Sequence, residues 1–100
     1  MHHDLEGLSA IVTGASQGLG REIAGALAER GAQVVLAARR RELLETAVDE
    51  IESNGGRAIA VPADLADTAG IRLLIDAATS AYGTVDILVN NAADEGPVRR

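Results

Sequence analysis

The sequence contains no cysteine and no lysine, and Tyr82 is its only aromatic residue. The lack of cysteine excludes disulfides and thiolate metal sites. All nine basic residues are arginines and the formal net charge is −6, so we expect no nucleic-acid-binding surface. No apolar run approaches the roughly 18 residues of a membrane span and no signal peptide is recognised. The sequence therefore predicts a cytoplasmic protein without a membrane partner.

The chain has 100 residues, of which 47% are apolar. This is enough for one compact domain, which we predict over residues 1–100. His2 and His3 follow the initiator methionine in a polar leader. We interpret them as a flexible end or a tag remnant, and we predict no metal site.

Apolar runs and helical patterns alternate along the chain. Strands are predicted at residues 10–12, 33–38, 58–61 and 85–89, where nearly continuous apolar sequence is typical of a parallel sheet covered on both faces. Three amphipathic helices are predicted between them. Their apolar stripes are Leu19, Ile23, Leu27 and Ala28, then Leu44, Ala47, Val48 and Ile51, then Ile71, Leu74, Ile75 and Ala78.

Helix ends agree with this pattern. Gly31 and Gly55 stand where left-handed C-terminal caps are expected, Asp67 is placed to cap the third helix, and Gly83 to end it. The resulting order β-α-β-α-β-α-β is the first half of a doubly wound α/β fold. Right-handed crossovers place its parallel strands in the order 3-2-1-4. We expect a ligand at the carboxyl ends of strands 1 and 4, where the strand order reverses.

A glycine-rich loop lies at that point. Residues 13–20 read Thr-Gly-Ala-Ser-Gln-Gly-Leu-Gly, between the first strand and the first helix. Glycines there permit a sharp turn, close approach of the backbone to a phosphate, and tight packing of the helix. The helix N-terminus then offers unpaired N–H groups to an anion. An ordinary strand-to-helix turn is the alternative interpretation of the loop taken alone.

The loop spacing, Thr-Gly-x-x-x-Gly-x-Gly, resembles that of the short-chain dehydrogenases/reductases. Residues 90–93, Asn-Asn-Ala-Ala, are similar to the Asn-Asn-Ala-Gly of that family, with alanine in the last position. Together the matches cover residues 4–93. The resemblance implies the N-terminal, cofactor-binding half of a Rossmann-type oxidoreductase. It assigns contacts with the dinucleotide to Thr13, Gly14, Ser16, Gln17, Gly18, Leu19, Gly20, Asp64, Leu65, Asn90 and Ala92.

The second strand ends at Ala38 and is followed by Arg39. NAD-preferring sites carry an acidic residue at this strand end, whereas a guanidinium suits the 2′-phosphate of NADP. The pair resembles NADP-preferring members of the family, so NADP is the predicted cofactor and NAD is the less favoured one. Gln17 adds nothing to this prediction. The alternative interpretation is that Arg39 to Arg41 are solvated residues at the start of the second helix.

The resemblance also implies a carbonyl or alcohol substrate and a catalytic Ser, Tyr and Lys, with Tyr and Lys in a Tyr-x-x-x-Lys pair. None of these maps onto residues 94–100, and the chain has no lysine at all. No catalytic residue is therefore predicted; Ser16 belongs to the loop, and Tyr82 is interpreted as a packing residue. Three hypotheses stay open: part of an oxidoreductase, a nucleotide-binding module without catalysis, or a relic that binds nothing. Self-association or pairing with a complementary C-terminal half is also expected.

Overall fold

The computed structural model describes residues 3–91 of the chain. Strands and helices alternate there as β1 (Ser9–Thr13), α1 (Gly18–Glu29), β2 (Gln33–Ala38), α2 (Arg41–Ser53), β3 (Arg57–Pro62), α3 (Thr68–Tyr82) and β4 (Ile87–Val89). All strand pairs are parallel, and the sheet order is β3-β2-β1-β4. The predicted doubly wound α/β class and strand order are confirmed.

Strand β2 lies between two hydrophobic layers. Val34 and Leu36 pack in the cluster shared with α1 and α2, whereas Val35 and Ala37 pack in the cluster shared with α3. All four side chains are 0% exposed. Successive side chains of a strand point to opposite faces, so a strand covered on both faces needs apolar residues throughout. This is the physical reason for the continuous apolar run in the sequence.

The helical stripes are confirmed only in part. Leu44, Ala47 and Ile51 of α2 are buried as expected. On α3, however, Leu74 and Ala78 are buried while Ile71 and Ile75 are 47% and 44% exposed. Leu19, which also belonged to a predicted stripe, is 63% exposed. A periodic pattern marks apolar side chains, but burial also requires another element to lie over them.

The predicted helix ends are present. Gly31 has φ 104° and Gly55 has φ 88°, a region that L side chains rarely adopt. After α1 the Ala32 N–H donates to the carbonyl of Leu27 at 3.1 Å, and the Gly31 N–H donates to that of Ala28 at 3.0 Å. These bonds satisfy the last carbonyls of the helix. At the start of α3, the Asp67 carboxylate accepts from the Ala69 N–H at 3.1 Å.

Strand β4 is shorter than predicted: it begins at Ile87 and not at Val85. The Asp86 carboxylate accepts a hydrogen bond from the Ser9 N–H at 2.9 Å, and the Asp86 N–H donates to the Ser9 carbonyl at 2.9 Å. The Ser9 hydroxyl donates to the Thr84 carbonyl. Two side-chain bonds and one backbone bond thus hold the segment before Ile87, where no strand ladder is formed.

Candidate dinucleotide site

The loop between β1 and α1 depends on glycine conformations. Gly14 has φ 62° and Gly18 has φ 64°, both in the left-handed region. A Cβ atom added at Gly18 would meet no atom within 4 Å. The glycine at this position is therefore required by the backbone turn, and the space beside it is open to a ligand.

Gly20 is required for a different reason. A Cβ atom there would lie 2.1 Å from the carbonyl oxygen of Gly14 and 2.7 Å from Nδ2 of Asn91. The first turn of α1 therefore packs directly on the loop backbone. Gln17, the N-cap residue, is extended and makes no side-chain bond to the helix end. The helix N-terminus carries a partial positive charge and unpaired N–H groups, so this end of α1 is suited to a phosphate.

Thr13 joins the ends of β1 and β4. Its hydroxyl lies 3.1 Å from Oδ1 of Asn90 and accepts from the Asn91 N–H at 2.8 Å. Nδ2 of Asn91 in turn donates to the Gly14 carbonyl at 3.5 Å. The glycine loop and the segment after β4, which lie more than 70 residues apart in the chain, are thereby held together at the switch point.

The end of β2 presents an alanine followed by an arginine. Ala38 is 1% exposed, and its carbonyl accepts from the Ala63 N–H at 2.8 Å. Arg39 is exposed and comes directly before Arg40, the N-cap residue of α2. Nη1 of Arg41, the first residue of α2, lies 3.7 Å from Oε2 of Glu45. Ala38 itself brings no carboxylate to the strand end, and Arg39 begins the link to α2.

Asp64 lies in the turn between β3 and α3, and it is exposed. Its Oδ1 atom accepts from the Ala66 N–H at 3.0 Å, and its carbonyl accepts from the Asp67 N–H at 3.2 Å. The carboxylate therefore has the turn-forming role that short polar side chains often have. The Leu65 side chain packs against the cluster under α3. This turn follows β3 and so belongs to the same carboxyl edge as the glycine loop.

The predicted residues thus follow the ends of four neighbouring strands at the carboxyl edge of the sheet. Ser16 is 8% exposed within the loop, while Gln17 and Leu19 are exposed. Ala92 lies outside the described residues. Sequence reasoning missed Asn91, which ties the two loops together, although the Asn-Asn pair after a strand was a usable signal. It also missed Gly70, which no motif marked.

Tyr82 is remote from this edge. It ends α3, whose 15 residues run about 20 Å down the sheet from Thr68. The ring is half-buried against the cluster under α3. Burial raises the pKa of the Tyr82 phenol, while the nearby Arg57 acts in the opposite direction and Glu52 adds to the rise. The interpretation of Tyr82 as a packing residue agrees with these contacts.

Two further properties concern only residues 3–91. No helix in that part of the chain is long and apolar enough to cross a lipid bilayer. In the same part, no group of three or more His, Asp or Glu side chains is arranged to hold a metal ion.

The arrangement matches that of known proteins. The family profile described as short chain dehydrogenase matches residues 9–99. The chain belongs to the short-chain dehydrogenase/reductase family. It is 46% identical over 92 residues to a versicolorin reductase of Emericella nidulans, covering 91% of this chain and 35% of that protein. The match corresponds to the N-terminal, cofactor-binding region of the family.

Solved structures agree with this family assignment. A hydroxysteroid dehydrogenase from Escherichia coli superposes with a TM-score of 0.85 and 43% identity, over 86% of this chain and 37% of that one. L-Sorbose reductase from Gluconobacter frateurii, complexed with NADPH and L-sorbose, superposes with a TM-score of 0.86 and 36% identity, over 92% and 35%. The chain spans little more than a third of the length of these relatives.

Proposed function

We propose that this chain is the NADP(H)-binding portion of an oxidoreductase that acts on a carbonyl or alcohol substrate. The observation that carries the proposal is the loop at the start of α1. Gly18 adopts φ 64° with no atom within 4 Å of its missing Cβ, and the first helical turn directly follows. This combination offers backbone N–H groups and open space to a pyrophosphate.

The proposed dinucleotide contacts extend along the carboxyl edge. The glycine loop, with Thr13 and Ser16, would hold the pyrophosphate and the adjoining ribose. Asp64, with the backbone of Leu65, would receive the adenine ring, and the segment from Asn90 to Ala92 would lie against the adenosine. Bound nicotinamide would donate a hydride to a carbonyl or accept one from an alcohol, and the residues named here only bind and orient it.

A preference for NADP over NAD is supported by the end of β2. Ala38 supplies no carboxylate to repel a 2′-phosphate, and the adjacent Arg39 is an exposed guanidinium. A charge-assisted hydrogen bond contributes about 1.5–3 kcal/mol, equivalent to roughly ten- to hundred-fold in affinity. We therefore propose a preference of that size.

The test is calorimetric titration of the chain with NADP and with NAD. The parent should bind NADP more tightly, and Ala38→Asp combined with Arg39→Ala should reverse the order, because the new carboxylate repels the phosphate and accepts from the ribose. Arg57→Ala, at the opposite end of the sheet, is the matched arginine control and should keep the order. Equal affinities in the parent would exclude a phosphate contact by Arg39.

The 100-residue chain alone should be inactive as a carbonyl reductase, because without lysine it cannot supply the Tyr-x-x-x-Lys pair. We propose that the catalytic Ser, Tyr and Lys belong to a complementary C-terminal half, as the coverage of the relatives suggests. NADPH oxidation with a panel of ketones, abolished by Gly18→Val, would contradict this. The coding DNA after Arg100 should contain a Tyr-x-x-x-Lys.

A nucleotide-binding module without catalysis is the second candidate, because the glycine loop and the residues along the carboxyl edge support cofactor binding in either case. The two candidates differ in one observation, namely whether a Tyr-x-x-x-Lys is encoded after Arg100. A third candidate, a relic that binds nothing, would be selected if the folded chain bound neither dinucleotide. The cytoplasmic location stays a prediction of the sequence.

A further inference from the structure

Gly70 lies so close to the backbone of Asp64 that a side chain at this position would not fit. It lies in the first turn of α3, and a Cβ atom there would be 2.0 Å from the carbonyl oxygen of Asp64 and 2.8 Å from its carbonyl carbon. The nearest atoms belong to backbone rather than to a flexible side chain. Because Gly70 does not have a positive φ, its backbone conformation does not require glycine. The requirement comes from the contact with Asp64.

The contact bears on how the Asp64 carboxylate is directed. Its Oδ1 atom is held by the Ala66 N–H at 3.0 Å, and the Asp64 carbonyl accepts from the Asp67 N–H at 3.2 Å. The carbonyl that anchors this turn is the atom that Gly70 faces. A methyl group at residue 70 would have to move that carbonyl by about 1 Å or more to restore an ordinary contact. The Asp64 carboxylate moves with this carbonyl, because both groups belong to the same residue.

We infer that Gly70 is a positioning residue that fixes the Asp64 carboxylate for the amino group of adenine. The inference rests on the proposed function, in which Asp64 receives the adenine. Gly70 itself touches no ligand; its lack of a side chain lets the Asp64 turn sit against α3. A displacement of about 1 Å is sufficient to lose an oriented hydrogen bond.

The experiment compares two probes, NADP and its hypoxanthine analogue, in which a carbonyl oxygen replaces the adenine amino group. A carboxylate accepts from the amino group and repels the carbonyl, so the parent chain should prefer NADP by about ten-fold or more. Gly70→Ala should reduce this preference to less than about three-fold. The ratio of the two affinities within one variant is independent of the folded fraction, since both ligands bind only the folded chain.

Three variants complete the design. Gly70→Ser adds the same Cβ atom and should lose the preference as Gly70→Ala does. Gly25→Ala, within α1 and with no atom within 4 Å of its missing Cβ, should keep it. Asp67→Ala removes the cap of α3 without adding an atom at residue 70, so it should lower stability and keep the preference. A variant with little folded protein is measured in trimethylamine N-oxide, which favours the folded state.

The outcomes separate this inference from the proposed function. A preference retained by both Gly70 variants overturns the positioning role and leaves NADP binding intact. Equal loss of the preference for NADP in Asp67→Ala also overturns the positioning role, because the loss would then follow the stability of α3. A parent that binds NADP and its analogue equally overturns it as well, since the Asp64 contact is absent. A folded parent that binds neither probe overturns the proposed function.

Discussion

The Thr13 hydroxyl, at the end of β1, accepts a 2.8 Å hydrogen bond from the backbone N–H of Asn91, just after β4. The bond crosses the switch point of the sheet, where the proposed cofactor would lie. Strand β4 has only three residues and is paired with β1 over that length. Contacts at its carboxyl end therefore matter for holding it in place, and they couple stability of the sheet to the geometry of the glycine loop.

Replacing Thr13 by valine should destabilise the chain by about 1–3 kcal/mol, because the part-buried Asn91 N–H loses its acceptor while the shape of the side chain is preserved. Urea unfolding followed by circular dichroism measures the change. Thr13→Ser keeps the hydroxyl and should retain most of the stability. Equal midpoints for the valine and serine variants would show that the bond contributes nothing.

Gly20→Ala should distort the glycine loop, because its Cβ atom would overlap the Gly14 carbonyl at 2.1 Å. We expect a loss of about 1–3 kcal/mol in stability, typical of overpacking, together with loss of NADP binding. Gly25→Ala is the control: with open space beside it in α1, the gain in helix propensity should stabilise the chain by about 0.5–1 kcal/mol. Thermal melting measures the stability of both variants, and titration measures their affinity for NADP. An unchanged NADP affinity in Gly20→Ala would contradict the predicted distortion of the loop.

The edge strand β4 should support self-association. Among the described residues it pairs only with β1, and Leu88 is 65% exposed. Unpaired backbone groups beside an exposed apolar side chain favour addition of another strand. Leu88→Lys should weaken association by roughly ten- to hundred-fold, the equivalent of about 1.5–3 kcal/mol for one buried leucine.

Sedimentation at tens of micromolar provides the measurement for that edge. Leu19→Lys changes a leucine of nearly equal exposure, 63%, at the glycine loop, and should leave association unaltered. A monodisperse parent monomer with strong amide-exchange protection in β4 would show that the edge is closed by the chain itself.

Tyr82 should titrate above the ordinary pKa of about 10, because burial disfavours the phenolate. Since the folded-state pKa is raised, the folded state favours the neutral phenol. The resulting stability is fully present below about pH 10 and is lost as the pH rises through the folded-state pKa. The phenolate absorbance reports this residue alone, as no other aromatic is present. A midpoint in the folded chain at or below the ordinary value would contradict the expectation, and Tyr82→Phe should reduce the alkaline loss of stability.

Much of the fold could be predicted because its causes are local or topological. The helix caps at Gly31 and Gly55 follow from glycine in the left-handed region, and the order 3-2-1-4 follows from right-handed crossovers. The start of β4 was predicted wrongly, since the bonds between Asp86 and Ser9 replace the ladder and a pattern of apolar residues does not reveal them. The exposure of Ile71 and Ile75 could not be predicted for a related reason: periodicity shows that a side chain belongs to an apolar stripe but not whether another element covers it.

The sequence by itself determined the alternating strands and helices, the glycine loop and the family, because strand and helix periods, glycine conformations and loop spacing are properties of neighbouring residues. Only the tertiary structure decided which glycines are required by contact rather than by turn. Gly20 lies against Gly14 and Gly70 against Asp64 because helices pack on the loops that precede them. It also decided that Asn91 binds the loop after β4 to Thr13. The two residues are 78 positions apart in the chain, so their contact depends on how the strands pair.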